Sequence, residues 1–312
     1  MDRFHGFARD EGAAAARNGL SEPDHLPRRL WWIVAALTFA WGFNWTALKV
    51  ALSEVGPWTF RSLCLGLGSA VLFAALRAGG QSLAVPKAAW GSLALLAFLN
   101  ITCWNMLTAF GIPLIPSGRA SILGYTMPIW AVPLSIWLLG ERVTPRRLLG
   151  LILGIAALVL LLGDGVAGVG AAPLGSLLVL AAAVSWAFGT VLQKRLALGM
   201  PLGAYTAWLL LLGGVPVFIG TLLLEDLSAL ARVSPWPAAA VAYNVFVAFA
   251  FANWAWVKIA TSVPVSVFSI SMLLIPVVGV LSGALFLGEQ PSWAELGALF
   301  CVIGALSTVI RR

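Results

Sequence analysis

Charged residues are scarce in this chain, and long stretches contain none. Only 10% of its 312 residues are Asp, Glu, Lys or Arg, whereas 61% are hydrophobic. A typical soluble domain has about 25% charged residues, so a soluble fold of this length would lack the polar surface that it needs. Despite a net charge of +7, the composition excludes most cytosolic enzymes, secreted proteins and nucleic-acid-binding proteins. It predicts a chain that lies in a lipid bilayer.

Residues that commonly bind metals or perform catalysis are also scarce. The two histidines, His5 and His25, lie near the N-terminus, and the three cysteines stand in separate apolar runs without a CxxC motif. A zinc site and a disulfide framework are therefore not expected. Neither a Walker A nor a GxSxG motif occurs, and the GxGxxG pattern at 163–168 follows an apolar helix instead of a strand, which favours a loop. We predict a protein that is not an enzyme and that binds no cofactor and no metal.

Ten apolar runs follow a polar N-terminal segment. Residues 1–28 contain no apolar stretch, so we predict a disordered cytoplasmic tail and no signal peptide. Most of the runs are near the ~20 residues that a helix needs to cross the hydrocarbon core. They cover about residues 30–51, 57–76, 90–112, 117–139, 146–163, 173–194, 203–224, 236–258, 264–287 and 293–310. The predicted fold class is an all-α integral membrane protein with ten transmembrane helices.

Basic residues set the predicted orientation. If the N-terminus lies in the cytoplasm, most of the 19 Lys and Arg residues fall in loops on the cytoplasmic side. Such an excess is typical of the cytoplasmic loops of membrane proteins. We therefore predict that both termini are cytoplasmic, because nine or eleven spans would disrupt this sorting.

The second half of the chain repeats the first. Trp41-x7-Lys49 recurs as Trp186-x7-Lys194, and further residues recur 148 positions later in the chain. The pairs at this offset include Asn105 and Asn253, Pro128 and Pro276, Gly140 and Gly288, and Glu141 and Glu289. Two collinear matches indicate a real duplication, with repeats at 29–163 and 164–312. Because each repeat has five spans, an odd number, the second repeat is inverted in the membrane, as in many secondary transporters.

Several of these residues form a known family pattern. The pattern consists of Trp41-Gly42-x-Asn44, Arg61, Pro128-x11-Gly140-Glu141 and the second copy Pro276-x11-Gly288-Glu289. It resembles the EamA family of the drug/metabolite transporter superfamily. That resemblance implies two inverted five-helix repeats around a central cavity. Within the family the chain resembles bacterial inner-membrane exporters of the YddG type, which implies efflux of amino acids, aromatic ones in particular.

Other functions of the same fold stay open. A multidrug exporter or an exporter of another metabolite would share this architecture, and fold analogy does not decide the substrate. A membrane-bound enzyme that modifies lipids would need a cluster of acids or histidines at the membrane surface, and the sequence contains none. We expect amino acids and the lipid bilayer as partners, no nucleic acid, and a monomer or weak dimer.

No acidic residue lies in the middle of an apolar run. Proton-coupled carriers usually place a titratable group deep in the membrane. We therefore expect a facilitator or a weakly coupled carrier, although a proton antiporter that uses Glu141 or Glu289 stays open. We also predict that these two glutamates, with Pro128 and Pro276, form the gates and hinges.

Polar and aromatic residues inside the spans are the predicted substrate-binding residues. Amides and hydroxyls suit a zwitterion, and aromatic rings suit its apolar side chain. In the first span Trp41, Asn44 and Trp45 share one helical face. The predicted binding residues are Trp41, Asn44, Asn100, Trp104, Ser121, Tyr125, Trp186, Asn244, Trp254 and Ser269.

Overall fold

The computed structural model describes residues 28–141, 144–166, 172–260 and 265–310, with side chains at 28–29, 147, 162–172, 260–273 and 309–310 left out. Its regular structure is helical throughout these residues. The helices are α1 Arg28–Ala51, α2 Pro57–Ala78, α3 Lys87–Leu114, α4 Ser117–Leu139, α5 Pro145–Val166, α6 Ala172–Leu196, α7 Leu202–Leu224, α8 Pro235–Ile259, α9 Val265–Leu287 and α10 Trp293–Ile310. A short 3₁₀ turn, Leu227–Arg232, precedes α8. The predicted tail at residues 1–28 falls almost wholly outside the described residues.

The helices have the length and composition of a multi-span membrane protein. Seven of them, α1–α4 and α6–α8, are long and apolar enough to cross a bilayer. The other three contain shorter apolar stretches, Leu148–Leu161, Leu274–Leu287 and Trp293–Thr308. Large apolar side chains such as Leu222, Leu285 and Phe300 lie exposed on the outer surface, as expected of groups that face lipid. The predicted all-α membrane class is confirmed, while the number of ten crossings stays a prediction.

Two helices carry a widened π-helical segment at matching positions. Phe98–Cys103 lies in α3, and Asn244–Phe251 lies in α8. Near the end of each segment an asparagine donates its side-chain amide to the carbonyl four residues earlier: Asn105 to Ile101 and Asn253 to Phe249, both at 2.8 Å. Such π segments are rare and frequently mark functional positions.

The predicted hinge prolines lie in different local structures. The helix α4 breaks at Tyr125, and Pro128 is the second residue of its second segment, Met127–Leu139. Its counterpart Pro276 lies inside α9, which runs without a break. The hinge role of both prolines stays a prediction.

Two glycines end α4 and α9 in the same way. Gly140 and Gly288 both have a φ of +65°. After each, the next backbone N–H returns to the helix, from Glu141 to the carbonyl of Ser135 and from Glu289 to that of Gly283. This left-handed ending fixes where the two glutamates leave their helices.

The contacts between the two halves follow one exchange rule. The helix α1 packs on α9 and α8, while α6 packs on α4 and α3. In addition, α2 packs on α7 and α5 packs on α10. If α1 to α5 are exchanged with α6 to α10 in order, a five-place exchange, the same set of contacting pairs results.

The left-handed ending at Gly288 gives a stability prediction. A Cβ at this position meets no atom within 4 Å. The cost of a side chain there therefore comes only from the positive φ, which residues with a Cβ rarely adopt. We expect Gly288→Ala to lower the free energy of unfolding by about 1 kcal/mol, measured by thermal unfolding in detergent. Gly91→Ala is the control, because that position is equally open and its φ is not positive. Equal effects of both substitutions would contradict this reading.

Candidate functional site

Three tryptophans and a tyrosine form an aromatic group where α1, α3, α4 and α6 meet. The ring centroids of Trp45 and Trp104 are 6.2 Å apart, and those of Trp104 and Trp186 are 5.2 Å apart. Tyr125 lies 6.4 Å from Trp45. All three pairs have edge-to-face geometry, which the ring quadrupoles favour. We call Trp45, Trp104, Tyr125 and Trp186 the tryptophan cluster.

A glycine makes this cluster possible. Gly124 is the last residue of the first segment of α4, and Trp45 lies directly against its backbone. A Cβ at Gly124 would overlap the Trp45 ring and touch Trp104. Trp45 is buried, whereas Trp104 and Trp186 are half-buried.

Polar side chains lie next to the cluster in the sequence or bond to its residues, and several of their oxygen atoms accept no hydrogen bond. Asn100 donates its amide to the carbonyl of Trp186 at 3.0 Å, and Ser185 donates to the carbonyl of Leu99 at 2.8 Å. These bonds join the π segment of α3 to α6. The side-chain oxygens of Asn44, Asn100 and Asn105 are buried without a hydrogen-bond partner. An unsatisfied buried acceptor costs ~1–3 kcal/mol, and an ammonium or N–H group of a ligand would remove that cost.

The structure places two predicted binding tryptophans apart from the cluster. Trp41 lies at the contact of α1 and α8, where it donates to the carbonyl of Ala248 at 3.2 Å and packs against Trp256. Trp254 is 41% exposed on α8 and packs against Phe251.

The polar residues predicted in α4, α8 and α9 have local roles or lie outside the described side chains. Ser121 donates to the carbonyl of Gly118 where α4 crosses α9. Asn244 is fully buried and donates to the carbonyl of Ala240, with its side-chain oxygen unpaired. Ser269 falls outside the described side chains.

Trp45 is not among the predicted binding residues, although the sequence places it on the same helical face as Trp41 and Asn44. The structure also buries Arg61, which the sequence shows only as part of the family pattern.

Glu289 joins three helices at one end of the structure. Its carboxylate accepts hydrogen bonds from the Lys49 ammonium at 2.8 Å, the Ser117 backbone N–H at 2.8 Å and the Ser117 hydroxyl at 2.7 Å. We call Glu289, Lys49 and Ser117 the Glu289 clasp; it ties the end of α9 to the end of α1 and the start of α4. Burial acts to raise the pKa of the Glu289 carboxyl, but the hydrogen bonds from Lys49 and Ser117 outweigh burial and hold this pKa below its ordinary value. Glu289 is therefore ionised at neutral pH.

The corresponding residues of the other repeat lie at the other end. Lys194 and Glu141 approach to 3.9 Å, and the Lys194 side chain is 63% exposed. This contact is longer and more exposed to solvent than the 2.8 Å contact of Lys49 with Glu289. Exposed ion pairs contribute little to stability.

A buried ion pair lies beside the Glu289 clasp. Arg119 of α4 and Glu295 of α10 meet at 2.8 Å, and both are buried. Ser292 and Glu295 exchange the two hydrogen bonds of a capping box at the start of α10. At an offset of 148 the chain carries Val267 and Arg147, so the other end cannot form this pair.

Two cavities lie at the ends of the helices. One, of about 170 Å³, is lined by Glu54, Glu225 and Asp226, and the other, of about 290 Å³, by Gln193, Met200 and Tyr205, among others. Neither contains a residue of the tryptophan cluster, so the predicted central cavity stays a prediction.

Comparison with known proteins decides the class of protein. The model of the EamA-like transporter family matches the chain twice, at residues 30–163 and 173–311. The chain belongs to this family. The predicted family is therefore confirmed, and it is a family of transporters, not of enzymes.

The names of two relatives describe a transporter and an efflux pump, but only one of these two names mentions a substrate. The chain is 28% identical to "Uncharacterized transporter YoaV" of Bacillus subtilis (strain 168), over 87% of this chain and 93% of the relative. It is 28% identical to "Probable amino-acid metabolite efflux pump" of Escherichia coli (strain K12), over 85% and 89%. Likeness to YddG-type exporters is only distant. A solved crystal structure, 24% identical, has a TM-score of 0.63 over 91% of this chain and 97% of its own, which supports the fold alone.

Gly124 gives a test of the cluster geometry. We expect Gly124→Ala to displace the Trp45 ring and to lower the free energy of unfolding by ~1–3 kcal/mol, with a change in intrinsic tryptophan fluorescence. Gly66→Ala is the control, because a Cβ there would meet only Phe218, at the ordinary distance of 3.6 Å. An unchanged fluorescence spectrum for Gly124→Ala would contradict the packing described here.

Proposed function

We propose that this protein exports neutral amino acids, aromatic ones in particular, across the bacterial inner membrane by alternating access. Ten helices would cross the membrane as two inverted repeats, 29–163 and 164–312, around a central substrate path. Residues 1–28 would form a cytoplasmic tail, and both termini would be cytoplasmic. The protein would act as a monomer or weak dimer.

Several observations support the inverted repeats. The helix contacts are unchanged by the five-place exchange, and the family model matches once in each half. The π segments of α3 and α8 and the left-handed glycines of α4 and α9 fall at corresponding positions. Two similar halves can exchange conformations at similar free energy, which is the physical basis of alternating access in such folds.

The tryptophan cluster is the main support for neutral and aromatic amino acids as the substrate class. Aromatic edges and faces suit an apolar or aromatic side chain. The unpaired oxygens of Asn44, Asn100 and Asn105 suit an ammonium group. A bulky organic cation would favour a carboxylate in its binding site, and within the described residues no carboxylate contacts the cluster. One relative's name, "Probable amino-acid metabolite efflux pump", points to the same class.

The two ends supply the proposed gates. The Glu289 clasp and the Arg119–Glu295 pair hold α1, α4, α9 and α10 together at one end. The longer contact of Lys194 with Glu141 lies at the other end. In the alternate state, we propose, the Glu289 clasp opens while the end that carries Glu141 closes.

Counterflow in liposomes that contain only the purified protein tests the proposed function. Vesicles loaded with unlabelled phenylalanine, threonine or methionine are diluted into labelled amino acid. We expect transient, saturable accumulation that competing amino acids suppress, with phenylalanine preferred. Folded protein that accumulates none of them would contradict amino-acid transport and would favour another metabolite or drug exporter of the family.

Proton coupling gives a second prediction. The lowered pKa of Glu289 keeps its carboxylate ionised at neutral pH in this conformation, so it has no proton to release there. Because its pKa is lowered, the Glu289 carboxylate stabilises the clasp at neutral pH, and this contribution is lost only as the pH falls through the lowered pKa. We expect the same phenylalanine flux with and without an imposed ΔpH between pH 6 and 8. Strict dependence of the flux on ΔpH would contradict a facilitator.

The Glu289 clasp gives a third prediction, on accessibility. Ser121 is buried one turn below Ser117, so Ser121→Cys, with the three native cysteines replaced by serine, reports on opening of this end. We expect Glu289→Gln to raise the rate at which a membrane-impermeant reagent modifies this introduced thiol about tenfold. Charge-assisted hydrogen bonds contribute ~1.5–3 kcal/mol, and about 1.4 kcal/mol is a factor of ten.

The matched control is Glu54→Gln. Glu54 lies at the same end and accepts a hydrogen bond from Ser234 N–H at 2.7 Å, but it does not join α9 to α1 and α4. We expect no change in the modification rate. Equal acceleration by both variants, or none by Glu289→Gln, would contradict the gate.

A further inference from the structure

Arg61 is a buried cation in the second turn of α2. It is 2% exposed, and its guanidinium lies 5.2 Å from the Phe60 ring centroid and 6.0 Å from that of Phe249. A charge inside a membrane span is costly unless it is paired, and such residues usually serve function.

No carboxylate neutralises Arg61 within the described residues. Ion pairs found there join Lys49 to Glu289, Arg119 to Glu295 and Lys194 to Glu141, and none of these includes Arg61. The acids nearest in the fold to the start of α2 have other roles. Glu225 accepts the backbone N–H groups of Trp58 and Thr59, and Glu54 binds Ser234.

The partners of Arg61 are neutral and leave part of its guanidinium unused. Its Nε donates to the carbonyl of Asn105 at 3.1 Å, and its Nη2 donates to the Thr108 hydroxyl at 2.9 Å. A guanidinium has five N–H donors, so three are not engaged by these two bonds. The planar fork of an arginine matches a carboxylate, which can accept two parallel hydrogen bonds from it.

The same partners connect Arg61 to the tryptophan cluster. The Thr108 hydroxyl donates to the carbonyl of Trp104 at 2.7 Å. Asn105, whose carbonyl accepts from Arg61, has its own side-chain oxygen buried without a partner. The guanidinium of Arg61, on α2, thus lies against the same stretch of α3 that carries the unpaired oxygen of Asn105 and the ring of Trp104.

We propose that Arg61 binds the α-carboxylate of the transported amino acid. The side-chain oxygen of Asn105 accepts from the α-ammonium, and the apolar side chain lies toward the tryptophan cluster. The substrate carboxylate supplies the negative charge that none of the described side chains provides for Arg61. This inference rests on the proposed function and adds to it that the substrate must carry a carboxylate. Arg61 is occluded in the present conformation, so binding occurs when one end of the path opens.

The first test changes the ligand and uses the wild-type protein. Phenylalanine, 3-phenylpropionate and phenethylamine share a phenyl group and differ in which charged groups they carry. We measure their binding to purified protein by the change in intrinsic tryptophan fluorescence. We expect phenylalanine to bind most tightly and 3-phenylpropionate to bind about tenfold more tightly than phenethylamine. Equal affinity for 3-phenylpropionate and phenethylamine, or tighter binding of phenethylamine, would overturn the proposal.

The second test changes Arg61. We expect Arg61→Gln to lower phenylalanine affinity and counterflow about tenfold or more, and to remove the preference for 3-phenylpropionate over phenethylamine. Arg61→Lys keeps the charge but loses the planar pair of donors, so it should retain part of the preference for 3-phenylpropionate that Arg61→Gln loses. Arg77→Gln is the control, because Arg77 is an exposed arginine on the same helix.

The outcomes separate the two proposals. If wild-type protein carries phenylalanine and Arg61→Lys and Arg61→Gln keep its ligand preference, the carboxylate site is wrong and amino-acid transport stands. If wild-type protein binds 3-phenylpropionate tightly but carries no amino acid, the carboxylate site stands and the proposed function is wrong. If Arg61→Gln does not fold, the wild-type ligand comparison and Arg61→Lys still decide.

Discussion

The contact of Glu289 with the start of α4 is the interaction on which the arrangement of the two halves most depends. Helix N-termini leave backbone N–H groups without partners, and a bilayer offers no water to satisfy them. Glu289 satisfies the N-terminus of α4 from the opposite half of the chain, and Lys49 balances its charge. One carboxylate therefore fixes how α1, α4 and α9 meet.

Other acids at this end act in the same way. Glu225 caps α2, Glu54 binds Ser234 at the start of α8, and Glu295 caps its own helix, α10. A carboxylate at a helix N-terminus is favoured by the helix dipole as well as by the hydrogen bonds. Four acids at this end, Glu54, Glu225, Glu289 and Glu295, thus hold helix ends, and none of the acids that the structure describes lies in the middle of a helix.

The two ends of the structure differ although the halves correspond. Lys194 and Glu141 correspond to Lys49 and Glu289 of the clasp, but their contact is longer and more exposed. The pair of Arg119 and Glu295 has no counterpart, because Val267 and Arg147 occupy the related positions. Under the proposed alternating access, this difference would favour closure of the end that carries Glu289 when no substrate is bound.

Much of the fold is visible in the sequence. The apolar runs agree closely with the helices found, and the paired glycines Gly140 and Gly288, seen in the sequence as part of the repeat, follow the ends of α4 and α9. Tertiary contacts were not visible. The break at Tyr125 gives α4 a shape that α9 lacks, although Pro128 and Pro276 correspond. Trp45 is central only because Gly124 admits its ring, and pattern alone does not show which helix supplies that space.

Reciprocal movement of the two ends is the central claim, and distances between spin labels test it most directly. One pair, at Ser53 and Gln290, spans the end that carries the Glu289 clasp, and the other, at Trp137 and Arg195, spans the opposite end. The account predicts that the substrate shifts the populations in opposite senses, so that the first distance lengthens as the second shortens. Distances that change in the same sense, or two ends that vary independently, would contradict it.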